Sequence, residues 1–221
     1  MNKTQKISEL IVQQGILPLY FHTDETVSIE VLRSIYKAGI KAVEYTSRGD
    51  SAFSNFKKML AVRNNEMPDL ALGVGTIKNI TQALEYYNAG ADFLVSPGFL
   101  PNVAGFSVSH DVFYAPGCMT PSEILAAENA GLTFIKLFPG NILGTEFLTT
   151  IKDIFPKLLF MPTGGVDITK ENIEGWFKAG VCAVGMGSKL ISKKLMEAKD
   201  YATIGNETTK VLQVIAEVKT R

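Results

Sequence analysis

Lys136 stands where a lysine is out of place. It lies inside Phe134-Ile135-Lys136-Leu137-Phe138, with apolar neighbours on both sides. Lysine is rarely buried unless it is paired or reactive. At a strand end it can also snorkel, packing its stem while the ammonium stays in water. In an extended strand, alternation puts Phe134 and Phe138 on the face of Lys136, and Ile135 and Leu137 on the other. Such a setting favours the neutral amine. Lowering a lysine pKa from about 10.4 to about 7 costs roughly 4.6 kcal/mol, at about 1.36 kcal/mol per unit. A fold tolerates that cost more readily where the amine attacks a carbonyl, so the chemistry expected of Lys136 is Schiff-base formation.

Glu44 is the second candidate. It ends the apolar Ala42-Val43 run, and the parity that turns Glu44 inward turns Tyr45 outward. A carboxylate near a reactive amine can carry protons for it. It can equally form an inert ion pair that stabilises its surroundings, and the residues alone leave both readings open. Two glycine-bearing turns, Gly164-Gly165 and Gly187-Ser188, follow successive apolar runs. Ordinary turns use such residues, and so do phosphate sites built from backbone N–H groups.

These side chains need elements to hold them. Short apolar runs begin near Ile16, Lys41, Leu70, Asp92, Val112, Thr133, Leu158 and Val181, and amphipathic segments separate them. Eight strands, each followed by a helix, are the rhythm of a parallel sheet covered by helices. The dipeptide Ala-Gly precedes the second, fourth, sixth and eighth strands, at Gly39, Gly90, Gly131 and Gly180. A glycine there supplies the left-handed backbone that ends a helix. Eight such units predict a (β/α)8 barrel of the TIM type, in preference to a doubly wound open sheet. Thr4 to Gln14 reads as an additional N-terminal helix, its Ile7, Leu10 and Ile11 on one face to cover the barrel bottom. The whole of residues 1–221 is expected to be one domain, with residues 1–15 as the leading helix.

In a barrel, chemistry belongs at the C-terminal ends of the strands. Lys136 on the sixth strand and Glu44 on the second are both on even strands, which contribute to the same interior layers. Composition narrows the partners. The 221 residues carry 22 basic and 22 acidic groups and are 46% apolar, which argues against disorder and against broad polyanion binding, so no nucleic-acid partner is expected. Cys118 and Cys182 cannot form a disulfide framework, and with only two histidines no metal site is expected. There is no run of membrane-spanning length and no apolar leader, so the chain reads as soluble and cytoplasmic.

Read in order, Glu44-Tyr45-Thr46-Ser47-Arg48, Gly73-Val74-Gly75-Thr76, Ser96-Pro97-Gly98, Lys136-Leu137-Phe138-Pro139, Pro162-Thr163-Gly164-Gly165 and Gly187-Ser188 span nearly the whole chain. This ordered set resembles the 2-keto-3-deoxy-6-phosphogluconate (KDPG) and 4-hydroxy-2-oxoglutarate (KHG) aldolase family. The resemblance implies a class I aldolase on a (β/α)8 barrel, a homotrimer that needs no cofactor or metal and acts on a small keto acid. It implies Lys136 as the Schiff-base lysine and Glu44 as the general acid/base. Arg48 and Thr76 would hold the keto-acid carboxylate, with Pro97 and Phe138 shaping the pyruvyl pocket and Thr163 touching the middle of the substrate. Gly164, Gly165, Gly187 and Ser188 would take a distal phosphate.

The chain departs from the common pattern of that family at three places: Gly140-Asn141 after Phe138-Pro139, Lys189 after Gly187-Ser188, and Phe21-His22 at the end of the first strand. They bear on the distal part of a substrate and not on the lysine or the glutamate. Lys189 reads as a solvated rim lysine or as a point charge for a phosphate. An isomerase or epimerase acting on a sugar phosphate, and a barrel that only binds a phosphorylated acid, are the competing functions.

Overall fold

Each apolar run becomes a parallel strand whose residues are almost all buried, because helices cover one side and the barrel interior fills the other. The computed structural model describes residues 2–220. The chain opens with α1 (Lys3–Gln14), β1 (Ile16–Tyr20), α2 (Glu25–Lys37), β2 (Ala42–Thr46) and α3 (Ala52–Glu66). It continues through β3 (Ala71–Gly75), α4 (Ile80–Ala89), β4 (Phe93–Val95), α5 (Pro101–Ser109) and β5 (Phe113–Ala115). Next come β6 (Gly117–Cys118), α6 (Pro121–Asn129), β7 (Phe134–Leu137), α7 (Gly140–Lys152) and β8 (Leu159–Pro162). It ends with α8 (Lys170–Ala179), β9 (Val184–Met186), α9 (Lys193–Glu197) and α10 (Tyr201–Lys219).

The strands run in the order β9-β1-β2-β3-β4-β5, then β6-β7-β8. Two joints close this circuit. Thr163 pairs with Gly185, linking β8 to β9. On the other side β5 and β6 are halves of one barrel strand, parted at Pro116. The sequence reading ends this strand at the proline, whereas the structure carries it on to Cys118. Proline has no N–H to offer a ladder, but its carbonyl accepts from the Lys136 N–H at 2.9 Å. Ala115 pairs toward β4 and Gly117 toward β7, so the strand changes partners at the break. The result is the expected (β/α)8 barrel, counted as eight strands.

Helix ends follow the expected signal. Gly39, Gly90, Gly131 and Gly180 have φ of 111°, 108°, 85° and 100°, backbone that a side chain rarely adopts. α1 carries a capping box on Asn2 and Gln5 and ends on left-handed Gly15. Its Ile7 and Ile11 pack with Leu17, Phe93, Phe113 and Phe134 in the lower barrel. Phe93, Phe113 and Phe134 meet edge to face, with centroids 6.0 and 5.1 Å apart. Gly73 makes room for this stack, since a Cβ there would overlap the Phe93 ring. The barrel floor is therefore solid hydrocarbon, and polar chemistry is confined to the layer above it. No helix among the described residues is long and apolar enough to cross a membrane.

Candidate active site

Lys136 and Glu44 face each other in that upper layer. Lys136 is 5% exposed and Glu44 0%, and the ammonium nitrogen lies 4.0 Å from Glu44 Oε2. That spacing is too long for a hydrogen bond and short enough for strong electrostatic coupling. Neither carboxylate oxygen of Glu44 has a hydrogen-bond partner among the described residues. Strand parity explains the meeting. Phe134, one pleat below Lys136, belongs to the interior stack, while Ile135 and Leu137 pack outward under the helices. Tyr45 likewise points outward, where its hydroxyl donates to the His22 carbonyl at 2.8 Å. Ser47 is drawn the same way, its Oγ accepting from Gln82 Nε2 and from the Tyr86 hydroxyl. Two outward anchors thus fix the strand end that carries Glu44.

Burial pushes the Lys136 ammonium below its ordinary pKa. The charge of Glu44 opposes this and that of Arg48 adds to it. Desolvation outweighs the single carboxylate because that carboxylate stands off at 4.0 Å and makes no hydrogen bond. The ring of Phe138, centred 5.2 Å from the nitrogen, roofs the amine from the strand end.

Gly75 is what admits Glu44. A Cβ at position 75 would overlap the Glu44 carboxylate. Gly75→Ala is therefore expected to push the carboxylate off its position and lower kcat/KM by about 100-fold, the usual consequence of ~1 Å misplacement. Far-UV circular dichroism should not change, and a variant of normal activity would show that the carboxylate position does not matter.

Above the pair lies a cavity of about 280 Å³, walled by Arg48, Phe138, Thr163, Gly164, Gly165 and the Gly187-Ser188 turn. Phe138 belongs both to this wall and to the roof over Lys136, so its ring stands between the amine and the cavity. Thr163 is buried, and its hydroxyl has no partner among the described residues. Gly164 and Gly165 have φ of 96° and 72°, which lets the backbone turn sharply beside the opening. Thr76 and Pro97 stand on the same rim but outside this wall. Thr76 is held at φ 64°, and Pro97 lies against Gly117, where a Cβ would overlap its carbonyl.

After Gly187 the backbone closes into a single turn. Gly187 O accepts from the N–H groups of Leu190 and Ile191, making one turn rather than a helix. Such a turn leaves its first N–H groups, those of Ser188 and Lys189, without partners inside it. Alternation and glycine signals miss a contributor. Lys193, on α9, joins Lys189 in the cavity wall, which Phe21 and Thr46, both noted in the sequence, also line. Ser96 is buried and bonded to the Tyr114 hydroxyl and to Gly98 O, each at 2.6 Å, which fixes the loop bearing Pro97. Among the described residues, no three His, Cys, Asp or Glu side chains come together to hold a metal.

Fold and cleft together define a (β/α)8 barrel with a buried amine and carboxylate beneath a cationic opening. The model of the KDPG and KHG aldolase family matches residues 7–207, and the chain belongs to that family of lyases. It is 28% identical over 211 residues to the 2-dehydro-3-deoxy-phosphogluconate aldolase of Treponema pallidum, covering 95% of this chain and 97% of that protein. It is 28% identical over 206 residues to the KHG/KDPG aldolase of Escherichia coli K12, covering 92% and 94%. The fold matches that of the KDPG aldolase from Legionella pneumophila, solved with pyruvate captured as a covalent carbinolamine. That match has a TM-score of 0.83 at 24% identity and covers 91% of this chain and 96% of that one.

Proposed function

We propose that this aldolase is of class I and cleaves KDPG to pyruvate and glyceraldehyde 3-phosphate, and KHG to pyruvate and glyoxylate. The observation that carries the reading is the buried Lys136 amine 4.0 Å from a carboxylate that makes no hydrogen bond of its own. Neutral Lys136 adds to the C2 carbonyl to give a carbinolamine, and loss of water leaves a protonated imine. Glu44, directly or through a water, takes the proton of the C4 hydroxyl. The C3–C4 electrons move into the imine as that bond breaks, and the aldehyde departs. Protonation of the resulting enamine at C3, then hydrolysis, releases pyruvate and restores the amine.

Arg48 and Thr76 would hold the keto-acid carboxylate, the guanidinium through its fork. Pro97 and Phe138 would bound the pyruvyl group, and the Thr163 hydroxyl would meet the substrate's middle. Gly164, Gly165, Gly187 and Ser188 would seat the distal phosphate on backbone N–H groups. Family likeness also supports a homotrimer, for which sedimentation should give a mass about three times the 24.1 kDa chain.

Sodium borohydride with pyruvate is expected to add one reduced pyruvyl group, found by peptide mass mapping on Lys136. Repeated absence of that adduct would favour an isomerase on the same barrel and sink the imine reading. Turnover is further expected to survive exhaustive treatment with EDTA. A loss restored by a divalent cation would move the chemistry to a metal.

A further inference from the structure

The charged side chains walling the cavity are all cations among the described residues: Arg48, Lys189 and Lys193. Lys189 is not free. Its ammonium lies 3.2 Å from Asp167 Oδ2, with the lysine side chain 58% exposed and the aspartate 31%. Asp167 follows the Gly164-Gly165 turn and Lys189 follows Gly187-Ser188, so the pair ties together the two turns that would seat a phosphate. The carboxylate is the fixed partner: Asp167 donates its N–H to Asn172 Oδ1 at 2.9 Å, and its Oδ1 accepts from the Thr169 N–H at 3.3 Å. The lysine is the mobile one, a solvated ammonium on four methylenes.

We propose that the Asp167–Lys189 pair sets how strongly the enzyme prefers phosphorylated substrates, Lys189 leaving Asp167 for a phosphate seated on the neighbouring backbone N–H groups. This rests on the aldolase reading and deepens it. Exchange between the two anions is easy because a half-exposed ion pair is weak in water. A dianionic phosphate that already holds backbone N–H bonds outcompetes a single carboxylate for the ammonium. An uncharged distal end, or one too short to reach the turn, leaves the pair closed and gains nothing from it. Asp167 therefore tempers the phosphate site, and Lys189 supplies its adjustable part. Lys193 is 85% exposed and lies 3.5 Å from Glu197 Oε1, so it contributes a more diffuse field.

The test is the ratio of kcat/KM for KDPG to kcat/KM for KHG. Lys189→Met is expected to lower that ratio about tenfold, the value of one charge-assisted hydrogen bond. Asp167→Asn, which keeps the acceptor for Thr169, is expected to raise it about threefold, and both effects should shrink in high salt. Lys194→Met, also on α9, removes the same charge without facing the cavity and should leave the ratio alone. Equal ratios in all four proteins, or the same fall with Lys194→Met as with Lys189→Met, would overturn the proposal. So would a wild type that turns over KHG but not KDPG. Borohydride trapping with pyruvate is run on each variant. Trapping with an unmoved ratio defeats this inference alone, whereas no trapping even in the wild type defeats the aldolase reading beneath it.

Discussion

Lys136→Met is expected to abolish aldol cleavage while giving a protein at least as stable as its parent. The substitution nearly keeps the volume of the side chain, removing the amino group and replacing one methylene by sulfur, so the phenylalanine stack beneath it and the ring of Phe138 above it keep their neighbours. Without the amine no imine forms, and turnover should fall by about 10⁵-fold or more, most of an enzyme's acceleration. The stability expectation follows from linkage. Burial holds the Lys136 pKa below the ordinary 10.5, so between the lowered value and 10.5 the unfolded chain binds more protons than the native one. Stability of the parent then rises with pH through that window, and below it the full penalty of the buried amine persists. Methionine has no such penalty. The melting-temperature advantage of the variant should be greatest at neutral and acidic pH and shrink as pH approaches 10.5. Scanning calorimetry across pH, beside a pyruvate-release assay, checks both halves. A variant that still turns over removes Lys136 from the mechanism, and one that melts lower at neutral pH means the ammonium is better solvated than its burial implies.

Much of this arrangement is legible in the chain because two simple periodicities govern it. A strand alternates its faces, so a lysine bracketed by Phe134 and Phe138 and a glutamate beside Tyr45 declare which way they point. A helix needs a left-handed residue to stop, so four Ala-Gly pairs mark where even strands begin. What escapes such reading depends on contacts made across long separations. The break at Pro116 has no consequence until β7 is alongside to use its carbonyl. That Gly75 exists to admit Glu44 cannot be seen without the register that sets Thr46 opposite Gly75 and Glu44 opposite Gly73. Lys193 and Asp167 are ordinary surface charges by sequence, and Lys189, though noticed beside Gly187-Ser188, shows no partner there. Only the folding of α9 and the eighth-strand turn over the opening brings them to one place. The resemblance to a family supplies roles for residues such as Thr76 and Pro97, whose types alone carry no chemical signal.

The second large effect is expected from Glu44→Gln, and it separates a proton carrier from an inert ion pair. Glutamine preserves the shape that Gly75 accommodates but cannot take a proton from the substrate's C4 hydroxyl. Loss of a positioned acid/base costs about 10²–10⁴ in rate, and here it should appear in kcat with little change in KM. Pyruvate should still be trapped on Lys136 by borohydride, at a reduced rate, because the nucleophile remains. An inert pair predicts the reverse pattern: near-normal kcat and a loss of stability from stranding a buried charge. The pH profile supplies a readout that misfolding cannot imitate. The charge of Glu44 is what holds the Lys136 pKa up against burial and against Arg48. Removing that charge lets the pKa fall further, so the acidic limb of kcat/KM, where the amine gains its proton, should move to lower pH. A limb that stays in place while kcat collapses would mean the two groups are not coupled across their 4.0 Å. A limb that moves the other way would mean the introduced amide has bonded the amine in its charged form. Only the downward shift, with kcat reduced and trapping retained, fits a carboxylate that works on substrate rather than on the fold.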